Sequence, residues 1–328
     1  MYQLLIGGLC AFILSAIFGK LFIPVLRRLK FGQEIREEGP KWHAKKSGTP
    51  TMGGFIFIIS LVISCAICYT VGVLFGVDIP AGAEITMLLV ISIAFGVIGF
   101  IDDYIKVILK RNLGLTAKQK FLLQLICAIA FVCWAVYGEG ISSVVKVPFT
   151  AFEIDLGFFF IPFAVVVILA TVNSVNLTDG LDGLATCITI VVALFFMLFA
   201  EFGSFPNPAV ALFAAILVGS LIGFLIYNKC PAKVFMGDTG SLFLGGAVCG
   251  MAILLEQPLA LLIVGLVYVL ESLSVILQVI SFKTTGKRIF KMSPIHHHFE
   301  MCGWSEWKVV TVFTSVTAVL CALMYYFG

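Results

Sequence analysis

Five aspartates fall in three short stretches rich in Asn, Gly and Lys. The first stretch holds Asp102, Asp103 and Lys106; the second holds Asn173, Asn176, Asp179, Gly180, Leu181 and Asp182. The third holds Asn228, Phe235 and Asp238, and a fourth stretch at 293–300 carries His296, His297 and His298. Carboxylates gathered without partners repel one another and raise each other's pKa values. A bound cation or nearby lysines would relieve that repulsion. Magnesium suits oxygen ligands and is commonly held by one or two carboxylates together with substrate phosphates.

The spacings refine this reading. On a helix, Asp102 and Lys106 are i and i+4 and share a face, whereas Asp102 and Asp103 point about 100° apart and need not serve one metal. Asp179 and Asp182 would share a face in a helical turn. Glycines 180, 183, 237 and 240 permit tight turns and close backbone approach to a ligand. The run from Met236 to Ser241 precedes an apolar stretch and resembles a helix N-terminus, where backbone N–H groups favour phosphate. No Walker-type loop is present. Neighbouring histidines diverge on a helix or strand, so contacts to an anionic substrate are expected of them rather than zinc; an inert loop is the alternative. Glu271, inside an apolar run, is expected to make an interhelical hydrogen bond rather than to carry protons.

Membrane-spanning helices must position these residues. The chain has 328 residues, 61% hydrophobic and 12% charged, with mean hydropathy +1.11. It has too few polar residues to cover a soluble protein of this size, and composition also excludes disordered and fibrous classes. A net charge of +3 gives no reason to expect nucleic acid as a partner; the lipid bilayer is the expected surrounding. A span needs about 20 mostly apolar residues, and ten segments qualify: 2–24, 52–75, 84–101, 119–137, 158–175, 184–201, 208–227, 239–255, 258–281 and 308–327. With that count, nineteen of the twenty-one basic residues lie on one side, which the positive-inside rule makes cytoplasmic. Both termini are then extracytoplasmic and the aspartates line a cytoplasmic cleft.

Residues 138–157 alternate around a Pro-containing turn and predict a small outer β-hairpin. Gly219/Gly223 and Gly246/Gly250 have the spacing of close helix packing. The ten cysteines lie mostly within apolar runs and read as fillers. The fold class is thus an all-α polytopic membrane protein, one domain over 1–328.

All four stretches, in order and on one face, resemble the polyprenyl-phosphate N-acetylhexosamine-1-phosphate transferase superfamily. Lys45 to Gly54 before the second span, and Met292 to Glu300 before the last, resemble its phospho-N-acetylmuramoyl-pentapeptide transferase branch in particular. The resemblance covers essentially the whole chain, with no departure at the motif positions. It implies transfer of phospho-MurNAc-pentapeptide from UDP-MurNAc-pentapeptide to undecaprenyl phosphate, giving lipid I and UMP, with Mg²⁺ as cofactor, at the bacterial cytoplasmic membrane. It implies that Asp238 is a magnesium ligand and Asp102 a base for the lipid phosphate. Lys46, Gly180, Leu181, Asp182, Asn228 and Phe235 would surround the nucleotide. Asp103, Lys106, Asn176, Asp179 and His296 would line the same cleft, with Thr51 and His297 taken as further substrate contacts.

The residues agree with that expectation. A lipid acceptor and a cytosolic nucleotide donor can meet only at the inner interface, where charge neutralisation and positioning should dominate. Phe235 could stack on uracil and Asn228 bond its edge. Direct attack by the lipid phosphate is favoured over a phosphoryl-aspartate intermediate, which the sequence leaves open. A transferase using UDP-GlcNAc, a secondary transporter and a structural scaffold are the alternatives; a transporter would place its carboxylates nearer the bilayer midplane. The sequence is silent on oligomeric state, and a homodimer is one option.

Overall fold

The computed structural model describes residues 2–28, 48–75, 82–109, 114–203 and 206–328. In chain order its elements are α1 (Tyr2–Arg28), α2 (Gly54–Phe75), α3 (Gly82–Val107), α4 (Ala117–Tyr137), β1 (Val144–Lys146), β2 (Glu153–Asp155), α5 (Phe160–Thr178), α6 (Leu184–Phe202), α7 (Pro208–Asn228), α8 (Gly237–Leu254), α9 (Leu261–Val264), α10 (Leu266–Thr285), α11 (Ile295–Met301) and α12 (Glu306–Phe327). All the helices except α9 and α11 are long and apolar enough to cross a membrane, ten among the described residues.

Local signals explain several boundaries. Thr116 and Gln119 form a reciprocal capping box before α4: the Gln119 amide donates to Thr116 Oγ1 at 3.3 Å, and the Thr116 amide to Gln119 Oε1 at 3.1 Å. Asn207 caps α7 by accepting from the Val210 amide at 3.1 Å, with Pro208 at the first helical position. Ser305 caps α12 by accepting from the Lys308 amide at 3.3 Å. The expected hairpin forms: β1 and β2 pair antiparallel, with Val144 opposite Asp155 and Lys146 opposite Glu153.

The two most buried helices are α7 and α8, and α7 is apolar on every side, as a fully surrounded helix must be. Their small residues let neighbours come close. A Cβ on Gly219 would collide with the Gly8 carbonyl of α1, and Gly246 and Gly250 lie against Ile91, Ser92 and Leu88 of α3. Both glycine pairs therefore serve helix packing, as their spacing predicts.

The ninth expected span differs. In place of one helix over 258–281, a 3-10 turn at Pro258–Ala260 leads into α9, and the chain breaks at Gly265 before α10. Glycine has weak helix propensity, and Gly265 takes φ −100°, ψ 15°. The buried residues of α10 are Val267, Tyr268, Glu271 and Ser274. Further along, Ile276, Leu277, Val279, Ile280 and Phe282 are exposed, so its second half projects from the helix bundle.

Candidate active site

Two crossing helices bring the first and third acidic stretches together. The last turns of α3 carry Asp102, Asp103 and Lys106, and the first turn of α8 carries Asp238. Gly99 permits the crossing, because a Cβ there would collide with the Asp238 carbonyl. Lys106 Nζ lies 2.6 Å from Asp102 Oδ2 and 2.8 Å from Asp238 Oδ2. Lys120, on the first turn of α4, reaches Asp238 Oδ2 at 3.0 Å and Asp102 Oδ2 at 3.6 Å. From α5, Asn176 Nδ2 donates to Asp238 Oδ1 at 2.9 Å and to Ser241 Oγ at 2.8 Å. Asp238 is thus gripped on both oxygens. Asp102 is gripped too, since its Oδ1 accepts from the Leu115 amide at 2.6 Å.

Asp103 points elsewhere, as adjacent positions on a helix must. Its Oδ1 accepts from the Asp238 amide at 3.1 Å. Its Oδ2 accepts from the Thr239 amide at 2.9 Å and from Thr239 Oγ1 at 2.7 Å. The start of α8 does attract an anion, but this anion is the protein's own carboxylate. The expectation that these amides face a phosphate is corrected accordingly: Asp103 already satisfies two of them, at the positive end of the helix dipole. Thr51 is buried, and its Oγ1 and Asp103 Oδ2 flank Gly237, which has φ +72°.

The Asp179–Asp182 pair also departs from expectation. Helix α5 ends at Thr178, and Asp179 has φ −79°, ψ 47°. Gly183, at φ +78°, starts α6. These residues form a turn rather than a helical face, because two glycines within four residues release the backbone. Burial, and then the charges of Asp238, Asp103 and Asp182, push the Asp179 carboxyl well above the usual carboxylate range.

Asp182 is tied into a brace. Its Oδ2 accepts from the Ala232 amide at 2.8 Å, and its amide donates to Glu306 Oε1 at 2.8 Å. Cys230 Sγ lies 3.5 Å from Glu306 Oε2. Ligand-type atoms of Asp182, Cys230 and Glu306 all lie within 4.8 Å of one another, but these hydrogen bonds already link the turn to the 229–236 loop and to α12.

Asn228 is buried; its amide oxygen accepts from Thr186 Oγ1 at 2.7 Å, and its Nδ2 donates to the Val234 carbonyl at 3.1 Å. One amide hydrogen remains for a ligand. Phe235 is half-buried, with its backbone held by Pro50 and Gly53 at 2.9 and 2.8 Å. Leu181 is buried. The ring of His296 lies against Gly180. The rings of His296 and His297 touch, with centroids 4.1 Å apart, but the three histidines have different partners. His296 pairs with Glu271 at 2.9 Å, His297 with Glu300 at 2.7 Å, and His298 Nδ1 accepts from the Lys291 amide at 3.1 Å. Lys46 lies outside the described residues.

Sequence reasoning missed Lys120. Nothing local in the sequence shows that this basic residue, at the start of the fourth expected span, reaches a carboxylate 118 positions away.

Residues 85–256 match the family model described as Glycosyl transferase family 4. A membrane glycosyl transferase is therefore the class that the fold and its acidic cluster define. Residues 46–58 match the phospho-N-acetylmuramoyl-pentapeptide-transferase signature 1. Relatives named phospho-N-acetylmuramoyl-pentapeptide-transferase are similar along nearly the whole length. That of Halalkalibacterium halodurans is 49% identical over 98% of this chain and 97% of its own. That of Bacillus cytotoxicus is 51% identical over 99% of this chain and 98% of its own, and that of Bacillus thuringiensis 50% over the same shares. The chain belongs to the phospho-N-acetylmuramoyl-pentapeptide-transferase family and is a multi-pass membrane protein.

Proposed function

We propose that this chain transfers phospho-MurNAc-pentapeptide from UDP-MurNAc-pentapeptide to undecaprenyl phosphate, forming lipid I and releasing UMP. The observation that supports this most strongly is the meeting of Asp102, Lys106, Lys120, Asn176 and Asp238, from four helices, within direct contact of one another. The cluster belongs at the cytoplasmic face of a bacterial cytoplasmic membrane, with both termini outside, because the basic residues gather on its side.

The residues fit a hard divalent cation. Asp102, Asp103, Asp179, Asp182 and Asp238 supply only oxygen donors, and they outnumber the two lysines placed among them. Asp238 would hold Mg²⁺, with the donor's phosphates as further ligands. Bound there, the ion would neutralise charge on the diphosphate.

The chain's own residues do the rest. Lys106 and Lys120, each between two carboxylates, can turn to phosphate oxygens as these arrive and lower the repulsion between two anionic substrates. Asn176 holds Asp238 in one orientation through Oδ1. Asp103 holds the start of α8, so its part is to position Asp238. A phosphate monoester is largely ionised near neutral pH, so direct attack needs little proton removal, and Asp102 orients Lys106 more than it acts as a base. Phe235 and Asn228, with Gly180, Leu181, Asp182 and Lys46, would take the uridine. Thr51, Asp179, His296 and His297 border the same cleft.

Purified protein should release UMP only when a divalent cation and undecaprenyl phosphate are both present. UMP release from UDP-GlcNAc but not from the MurNAc donor would overturn the substrate assignment. External labelling of a cysteine placed at 102 or 238 would overturn the orientation.

A further inference from the structure

Glu271 and His296 form a buried pair that joins α10 to α11. His296 Nδ1 lies 2.9 Å from Glu271 Oε2, and both side chains are 0% exposed. The His296 amide points at the same oxygen at 3.5 Å. Two atoms of the pair, Glu271 Oε1 and His296 Nε2, are buried without a hydrogen-bond partner. Nε2 is the atom against Gly180: a Cβ at that position would collide with it. The imidazole therefore spans the gap between an intramembrane carboxylate and the Asp179–Asp182 turn.

A carboxylate inside an apolar helix is costly, and an unpartnered buried polar atom adds to the cost. A neutral amide could have tied the helix to the segment that follows it. Gln278, two turns along on α10, does that work: its Oε1 accepts from the Ile289 and Phe290 amides at 3.0 Å, and its Nε2 donates to the Phe290 carbonyl at 2.9 Å. Glu271 differs from it in contacting an imidazole, whose two nitrogens are interdependent. When Nδ1 carries the proton that a carboxylate accepts, Nε2 of the neutral ring is left as an acceptor, and the plane of the ring is set.

We infer that Glu271 is a positioning residue: by accepting the Nδ1 proton of His296 it holds one tautomer and one ring plane, so that the ring is pressed against Gly180 and fixes the Asp179–Asp182 turn that the proposed function sets beside the nucleotide. The inference rests on the transferase reading for the nucleotide, and on the observed contact alone for the pair. The ring of His297 meets that of His296 edge-on, with centroids 4.1 Å and planes 60° apart, while its own Nδ1 is engaged by Glu300 at 2.7 Å.

The test uses the full chain labelled with ¹⁵N-histidine. The sequence holds four histidines, and the His296 signals are identified by their loss in His296→Gln. Wild-type protein should show His296 as a single tautomer protonated at Nδ1. Glu271→Gln can present either its oxygen or its NH₂ to the ring, so the tautomers should mix. The same variant should lose about 10- to 100-fold in kcat/KM for UMP release, as losses of an orienting partner do. Glu271→Asp, which keeps the carboxylate but shortens the reach, should recover part of the loss and serves as the readout if Glu271→Gln does not fold. A His296 tautomer unchanged in Glu271→Gln, or a kcat/KM within twofold of wild type, would overturn the inference. The spectroscopic arm needs no substrate. It decides the Glu271 contact even where wild-type protein releases no UMP, an outcome that would count against the transferase reading instead.

Discussion

The carboxylate of Asp103, on α3, closes the N-terminus of α8 by accepting from the amides of Asp238 and Thr239 at 3.1 and 2.9 Å. An acidic side chain thus holds the backbone that carries Asp238, the metal ligand of the proposed function. Asp103→Ala would strand two buried amides and the Thr239 hydroxyl, each at about 1–3 kcal/mol. Its Tm should fall by several degrees, and Asp103→Asn, which keeps one acceptor, should lose about half as much. Equal Tm values for Asp103→Ala and wild type would show that the cap contributes nothing.

Asp238→Ala should abolish divalent-dependent UMP release while leaving helical content, read by circular dichroism, unchanged. Near-normal turnover in that variant would remove Asp238 from the proposed metal site.

Lys120→Ala should lower kcat by about 10²-fold, the usual effect of losing one donor aimed at developing charge, and Lys120→Arg should restore part of it. Kinetics of purified variants at saturating donor would decide this. A rate within twofold of wild type would leave Lys106 as the working cation.

Phe235→Ala should raise the donor KM more than it lowers kcat if stacking is equal in ground and transition states. A drop in kcat at constant KM would place Phe235 in the transition state instead.

Asp179 has its proton affinity raised by burial and by its acidic neighbours. As pH rises above about 4, the unfolded chain gives up this proton before the folded one. The folded state then binds more protons, so stability declines with rising pH until the folded pKa is passed. Asp179→Asn removes that decline. Its Tm advantage over wild type, measured without divalent cations, should grow from pH 4 upward and then level off; a constant difference would contradict the assignment.

Much of this arrangement is legible in the residues. Periodicity and apolar length place the ten crossings, glycine spacing marks the α1–α7 and α3–α8 seams, and the i,i+4 rule pairs Asp102 with Lys106. What escapes is whatever depends on partners distant in sequence. A basic residue on a helix flank carries no mark of the carboxylate it will meet, so Lys120 looked like an interfacial charge. A Gly-rich helix start reads as an anion site, but nothing local says that Asp103 fills it. The Asp179–Asp182 spacing fits a helix until the glycines between and after them are weighed as helix ends.

The second half of α10 reaches beyond the bundle with Ile276, Leu277, Val279, Ile280 and Phe282 uncovered, yet through Gln278 it also holds the segment leading to the histidines. An oily arm with so much uncovered apolar surface leans on whatever amphiphile surrounds it. The choice of detergent or reconstituting lipid therefore becomes part of the enzyme: a poor one would let this arm swing, and catalysis would fade while the rest of the molecule stayed folded.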